Sequence, residues 1–312
     1  MATERWRRPR ALRPGDRVAI VAPASPCARD AVVRGAEELA RWGFEPVVDE
    51  RVFETRLYLA GDASLRAAHF TEAWADPEIA GLVCTRGGYG SVQILPLLDR
   101  ARVGVIPKVF VGYSDITSLH VWLGQAGGMV TFHGPMLEGR LGGGDGRYDR
   151  ESFAQAIMSG QPLGELRPEG LETIRRGEAS GVLVGGTLTQ LVASLGTPYA
   201  FDPPEGHVLF VDEVNERPYR LDRMLTQLRL AGLLARASAI VVNELPGCDE
   251  PGGGVTAVDA IRDVLSGFRG PIVVGFPSGH TTGALVTLPF GVRATVLATD
   301  SPALVIEEAA VS

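Results

Sequence analysis

Ile79-Ala-Gly-Leu-Val-Cys-Thr85 runs directly into Arg86-Gly-Gly-Tyr-Gly90, and a helical pattern follows from Ser91 to Leu98. A short apolar run, a glycine turn and an amphipathic stretch read as strand, loop and helix. The same unit recurs on either side. Arg17-Val-Ala-Ile-Val-Ala-Pro23 leads through a Pro/Ser loop to a helix over Asp30 to Trp42, and a strand near Pro46-Val-Val48 precedes a helix over Ser64 to Trp74. Downstream, Val109-Phe-Val-Gly-Tyr113 precedes a helix from Asp115 to Gln125 and the strand Met129-Val-Thr-Phe-His133. Near-continuous apolar strands alternating with helices predict an α/β fold whose parallel sheet is covered on both faces.

At about Gly160 the texture changes. Residues 161–178 are charged and contain Pro and Gly, as in Gly164-Glu-Leu-Arg-Pro-Glu-Gly170, with little apolar periodicity. They are expected to link a first domain, 1–160, to a second, 179–312. The second domain reads as mixed α/β. Its expected strands are Val182-Leu-Val184, His207 to Val211, Ala239 to Val242 and Ile272 to Phe276, its helices Leu188 to Leu195, Tyr219 to Leu230 and Val255 to Leu265. The stretch from Leu285 to Glu307 reads as antiparallel strands joined by short turns.

Composition removes several classes of function. The 312 residues carry 30 Lys+Arg against 37 Asp+Glu, a net charge of -7, so no basic footprint for nucleic acid exists. Cys27, Cys84 and Cys248 lie far apart without C-x-x-C spacing; neither a disulfide framework nor a zinc cage is expected, and a reducing, cytoplasmic compartment fits. The apolar run Val18 to Pro23 is too short for a signal-peptide core. Ala179 to Phe201 is free of formal charge but interrupted by Gly185, Gly186, Gln190 and Pro198, so it reads as buried strand, turn and helix rather than a membrane span.

In an open parallel sheet, ligands gather beyond the carboxyl ends of the strands. Two loops qualify: Arg86-Gly-Gly-Tyr-Gly90 and Gly112-Tyr-Ser-Asp115. The first lacks the third glycine of a dinucleotide fingerprint. Ser114 can be read as the cap of the helix that follows or as a nucleophile at the top of the sheet. In the second case the N–H of Asp115 and an N–H from Gly87 to Gly90 would hold a developing oxyanion. A serine nucleophile needs a base. Of the five histidines, His69 and His120 fall within helices, His133 at a strand end and His207 at a strand start, whereas His280 lies in the loop Pro277-Ser-Gly-His-Thr-Thr282 beyond a strand's carboxyl end. The third partner should be a carboxylate. Asp212 and Glu213, at the end of the strand His207 to Val211, are both candidates that strand alternation sends to opposite sides, and Glu216 reads as a helix N-terminal acid. No His or Cys cluster calls for a metal, and no cofactor is expected.

Taken together, these segments resemble the serine LD-carboxypeptidase family, which includes muramoyltetrapeptide carboxypeptidases and microcin C self-immunity peptidases. The resemblance lies in Gly15 to Pro26, Arg86 to Ser91, Gly112 to Thr117, His133-Gly-Pro-Met136, Gly185-Gly-Thr-Leu188, Asp212 to Leu225 and Gly275 to His280, in family order over nearly the whole chain. It implies an N-terminal flavodoxin-like domain with the nucleophile and a smaller C-terminal domain with the other two members of a triad, the active site forming at their interface, often in a homodimer. It places the nucleophile on Ser114 and the base on His280. The family's glutamate falls on Asp212, with Glu213 as the alternative acid. Thr187 stands where the family often has Asn. The implied substrate is a peptide with a C-terminal D-amino acid, D-Ala of murein tetrapeptide in cell-wall recycling, its free carboxylate held by Arg86. A microcin-type peptidase acting on peptidyl-nucleotides and a non-catalytic two-lobe binding protein are the other readings. An α/β-hydrolase is disfavoured because Ile116 occupies the second glycine of its elbow.

Overall fold

A computed structural model describes residues 6–103 and 105–312. It separates into two units. The first contains the described residues up to Gln161 together with Gly283–Gly291 and Ala309–Ser312; the second, smaller one contains Pro162–Thr282 and Val292–Glu308.

The first unit is built on β1 (Arg17–Val21), α1 (Arg29–Arg41), β2 (Glu45–Val48), α2 (Ala63–Ala75), β3 (Ile79–Cys84), the short α3 (Ser91–Ile94) and α4 (Arg100–Val103), β4 (Val109–Gly112), α5 (Thr117–Gly127), β5 (Thr131–His133) and α6 (Arg150–Met158). Strands β1 to β5 are parallel and lie in the order β2-β1-β3-β4-β5, the flavodoxin-like arrangement, with the reversal of strand order between β1 and β3. Val18, Ile20, Leu82, Val109, Phe110 and Val111 are wholly buried, which explains why these strands are apolar on consecutive positions rather than alternate ones. The helix expected over Ser91 to Leu98 stops at Ile94 and tightens into a 3-10 turn over Leu95–Leu97, where Pro96 cannot donate to the helical ladder.

The second unit contributes β6 (Gly164–Leu166), β7 (Glu172–Arg175), β8 (Gly177–Thr187), α7 (Leu188–Ala193), β9 (His207–Asp212), α8 (Pro218–Leu230), α9 (Leu233–Arg236), β10 (Ala237–Asn243), α10 (Ala257–Val264) and β11 (Ile272–Phe276). Residues 161–178 are thus not a bare linker. They supply β6 and β7, which form the two edges of the unit's sheet, and their mostly solvent-facing positions account for the missing apolar periodicity. The end of the chain also divides. β12 (Leu288–Phe290) pairs antiparallel with β5 and completes the first unit's sheet, whereas β13 (Arg293–Ala298) and β14 (Ala303–Ile306) pair with β8 and β6 in the second. The order there is β6-β14-β13-β8-β9-β10-β11-β7, with β8 to β11 parallel and the remaining neighbours antiparallel. No helix among the described residues is long and apolar enough to cross a membrane.

Candidate active site

In the first unit, the chemistry-bearing loops meet at the carboxyl ends of β1, β3 and β4. Ser114 follows β4 with φ 66°, a left-handed conformation that costs an L-residue roughly 1–2 kcal/mol. It is the first residue of a 3-10 turn, Ser114–Ile116, that feeds α5; the cap positions are Tyr113 for the turn and Ile116 for the helix, so the serine caps neither. Gly87 lies flat against it. A Cβ built on Gly87 would sit 2.7 Å from Ser114 Cβ, 2.9 Å from its Oγ and 3.2 Å from Asp115 N. The sequence-level pairing of the glycine turn with the backbone of Asp115 is therefore a real juxtaposition around the hydroxyl. Gly88, φ 97°, closes on Ser25 of the β1 loop, whose Oγ accepts from Tyr89 N at 3.1 Å, while Ser25 N donates to Gly87 O at 3.2 Å.

Two buried side chains that sequence reasoning passed over fix this geometry. Arg66, 3% exposed on α2, donates from Nη1 to Pro23 O at 2.5 Å and to Gly90 O at 2.7 Å, and from Nη2 to Gln93 Oε1 at 2.7 Å. A buried guanidinium with carbonyl and amide partners buckles the β1 loop to the glycine turn, and burial lowers its pKa. Ser91, at the start of α3, donates from its N to Asp115 Oδ2 at 2.8 Å and from Oγ to Asp115 O at 2.6 Å. Burial raises the Asp115 pKa, opposed by the hydrogen bonds from Ser91 and Gly90 and by the charge of Arg66. An arginine flanked by Leu65, Ala67 and Ala68 was the available signal for Arg66. Arg86 pairs with Glu138 at 3.0 Å, so its guanidinium already faces a carboxylate.

The second unit holds the remaining candidates. His280 Nδ1 lies 2.8 Å from Asp212 Oδ2, and His280 N donates to Asp212 Oδ1 at 2.9 Å. Asp212 is completely buried at the end of β9, and the imidazole is 19% exposed. Thr187 Oγ1 donates to Asp212 Oδ2 at 3.0 Å, so the threonine at this position does serve the acid. Glu213 points elsewhere: its Oε2 accepts from Thr189 N at 2.9 Å and Thr189 Oγ1 at 2.7 Å, and its Oε1 from Val214 N at 3.1 Å. Burial raises its pKa, the Thr189 and Val214 donors oppose that, and the charge of Asp212 adds to it. Glu216 pairs with Arg220 one helical turn on, the structural role its position suggested. Of the two acids left open by the sequence, Asp212 is the one that meets the imidazole.

Asn243, fully buried at the end of β10, was missed. Its Nδ2 donates to Asp212 Oδ1 at 2.6 Å and to His280 O at 2.7 Å. The signal was the one used for Asp212, a polar residue ending an otherwise apolar strand. Among the described residues, no group of three or more His, Cys, Asp or Glu side chains could hold a metal ion. Two other histidines are held against backbone carbonyls: His120 Nε2 lies 2.8 Å from Gly112 O, and burial lowers its pKa to about 3; His207 Nδ1 lies 2.9 Å from Pro204 O, with a pKa lowered to about 4 by burial.

Comparison with known proteins places the same residues in a wider setting. Residues 18–134 match the family described as LD-carboxypeptidase N-terminal domain, and residues 180–296 match the LD-carboxypeptidase C-terminal domain. A Bacillus subtilis protein named probable murein peptide carboxypeptidase is 33% identical over 98% of this chain and 95% of its own length. Among solved structures, the microcin C7 self-immunity protein in its wild-type apo state superimposes with a TM-score of 0.90 at 26% identity, covering 98% of this chain and 100% of that one. A muramoyltetrapeptide carboxypeptidase from Oxalobacter formigenes gives a TM-score of 0.82 at 28% identity over 94% of this chain and 99% of that one.

Proposed function

The chain belongs to the LD-carboxypeptidase family and is a serine-type carboxypeptidase, and on that premise we propose that Ser114 is its nucleophile, His280 its general base and Asp212 the acid that orients the base. The observation that carries the assignment is the His280–Asp212 pair. A buried carboxylate that accepts the Nδ1 proton fixes the tautomer in which Nε2 is basic, and it stabilises the imidazolium formed later.

In the reaction, Ser114 Oγ passes its proton to His280 Nε2 and bonds to the carbonyl carbon preceding a C-terminal D-amino acid. The N–H groups of Asp115, Gly87 and Gly88 are the donors for the tetrahedral oxyanion; one such donor contributes on the order of 3 kcal/mol. Collapse breaks the C–N bond as His280 returns its proton to the leaving amine. Water then attacks the acyl-enzyme, giving its proton to His280, and Ser114 is released with its proton restored.

The substrate of this reading is murein tetrapeptide, which loses its terminal D-Ala. Arg86, with Glu138 beside it, is the group assigned to the free carboxylate. In this reading the enzyme is a cytoplasmic homodimer that recycles cell-wall peptide. The test is release of D-Ala from a diaminopimelate- or L-Lys-containing tetrapeptide by the wild type and by Ser114→Ala, with a peptidyl-nucleotide in a parallel assay. Release that persists in the variant would remove the nucleophile assignment, and turnover of the peptidyl-nucleotide alone would replace the substrate.

A further inference from the structure

The amide of Asn243 can be oriented from its surroundings. Two backbone N–H groups point at Oδ1, Glu213 N at 3.3 Å and Leu245 N at 3.1 Å, so the oxygen must face them. Nδ2 then faces three acceptors: Asp212 Oδ1 at 2.6 Å, His280 O at 2.7 Å and Glu213 O at 3.3 Å. An NH2 group has two protons, and the two short contacts take them.

The consequence is a closed loop of bonds. Asp212 Oδ1 accepts from both His280 N and Asn243 Nδ2, while Oδ2 accepts from both His280 Nδ1 and Thr187 Oγ1. His280 is thereby held at both ends of its own residue: its N–H is gripped by Asp212, and its C=O by Asn243. The carboxylate and the backbone of His280 share one amide, which comes from a different strand, β10, than the acid on β9. A loop residue such as His280 has no ladder bonds of its own to set its rotamer, so this amide does what a strand would do.

We infer that Asn243 is the positioning residue of the His280–Asp212 pair, fixing the backbone of the base and the rotamer of the acid through one buried amide. The inference rests on the reading of His280 as the general base. It acts through Asp212 in a second way. Each donor on a carboxylate draws off charge, so removing Asn243 leaves Asp212 a stronger acceptor for the imidazolium, and the His280 titration moves to higher pH. The titratable residues beside this amide are Asp212, at the end of β9, and His280; Glu213 meets it through its backbone, its carboxylate being bonded to Thr189, and Glu244, next in sequence, is occupied by Thr282 N at 2.8 Å and Thr282 Oγ1 at 2.9 Å.

The experiment uses the full chain with Asn243→Ala and, as the smaller change that keeps a hydroxyl donor, Asn243→Ser. In whichever variant folds, kcat on the L,D-peptide is expected to fall about 10- to 100-fold with KM within about threefold, the larger loss in Ala. The acid limb of the kcat/KM profile and the His280 titration followed by NMR should both move up by roughly one pH unit. A folded variant with wild-type kcat, or one whose activity falls while both titrations stay where they were, overturns the inference. If the wild type releases no D-amino acid, the reaction assignment fails by itself. The NMR titration still decides the role of Asn243, since it needs no turnover.

Discussion

Gly87 and Ser114 are packed so closely that the hydrogen on the glycine Cα is the largest group the serine allows: a Cβ there would lie 2.7 Å from Ser114 Cβ. Real Cβ atoms do not approach so near, and the obstacle is a serine held in a left-handed turn, not the end of a flexible chain. Gly87→Ala is therefore expected to push Ser114 out of line. The drop in kcat/KM should be about 100-fold and the loss of stability about 1–3 kcal/mol, read from D-Ala release and urea unfolding. Wild-type turnover by that variant would show that the turn tolerates displacement and that the tight fit has no catalytic purpose.

The left-handed backbone of Ser114 separates its conformational cost from its chemistry. Ser114→Gly and Ser114→Ala both remove the hydroxyl and should both be inactive, but glycine adopts φ 66° without a Cβ penalty. Ser114→Gly is expected to be about 1 kcal/mol more stable than Ser114→Ala in urea unfolding. Equal stability of the two would indicate that the turn relaxes once the hydroxyl is gone.

Asp212 and Glu213 should part company under substitution. Asp212→Asn forces an amide against His280 Nδ1 and is expected to lower kcat by about 1,000- to 10,000-fold, whereas Glu213→Gln, bonded to Thr189 and Val214 N, should change it less than about tenfold. Asp212→Glu adds a methylene where Thr187 and Asn243 already close on the shorter acid, and about a 10- to 100-fold loss is expected. The reverse ranking of Asp212→Asn and Glu213→Gln would exchange the two roles.

Stability should weaken in mild acid because of two buried histidines outside the proposed triad. His120 and His207 titrate near 3 and 4 in the folded protein, against 6.5 for an ordinary imidazole, because burial disfavours the cation. The unfolded chain thus binds these protons first. The contribution of each is complete above about pH 6.5 and is lost as pH falls toward the folded values, at up to about 1.4 kcal/mol per pH unit per histidine. His120→Phe, set among Phe110, His133 and Phe290, should flatten the slope of unfolding free energy between pH 6.5 and 4.5; an unchanged slope would assign the acid sensitivity elsewhere.

What the sequence makes legible follows from the range of the interactions. Apolar runs such as Leu82-Val83-Cys84 and Val109-Phe110-Val111 announce buried parallel strands locally, and the loops after them announce themselves by glycine and serine. Position at a strand's carboxyl end marked Ser114, His280 and both Asp212 and Glu213 as candidates, and the family resemblance favoured Ser114, His280 and Asp212. Asp212 and Glu213 both follow the same strand, and only the coordinates show the direction of each carboxylate, Asp212 toward His280 and Glu213 toward Thr189. The strand at β12 was legible but its partner was not, because β5 lies about 155 residues earlier in the chain and no local pattern records a pairing of that span. Arg66 and Asn243 escaped for a related reason: their importance resides in backbone carbonyls contributed by distant loops.

The return of β12 to the first unit has a bearing on how the protein is made. A ribosome delivers the five parallel strands before Leu288–Phe290, so the open edge of β5 waits for a strand that lies about 155 residues further along the chain. Until then the nascent sheet bears an uncapped apolar border, the kind of surface that recruits chaperones or other chains. Completion of the serine-bearing sheet consequently waits for this late strand, and a chain broken before Leu288 carries a half-finished sheet instead of a smaller enzyme.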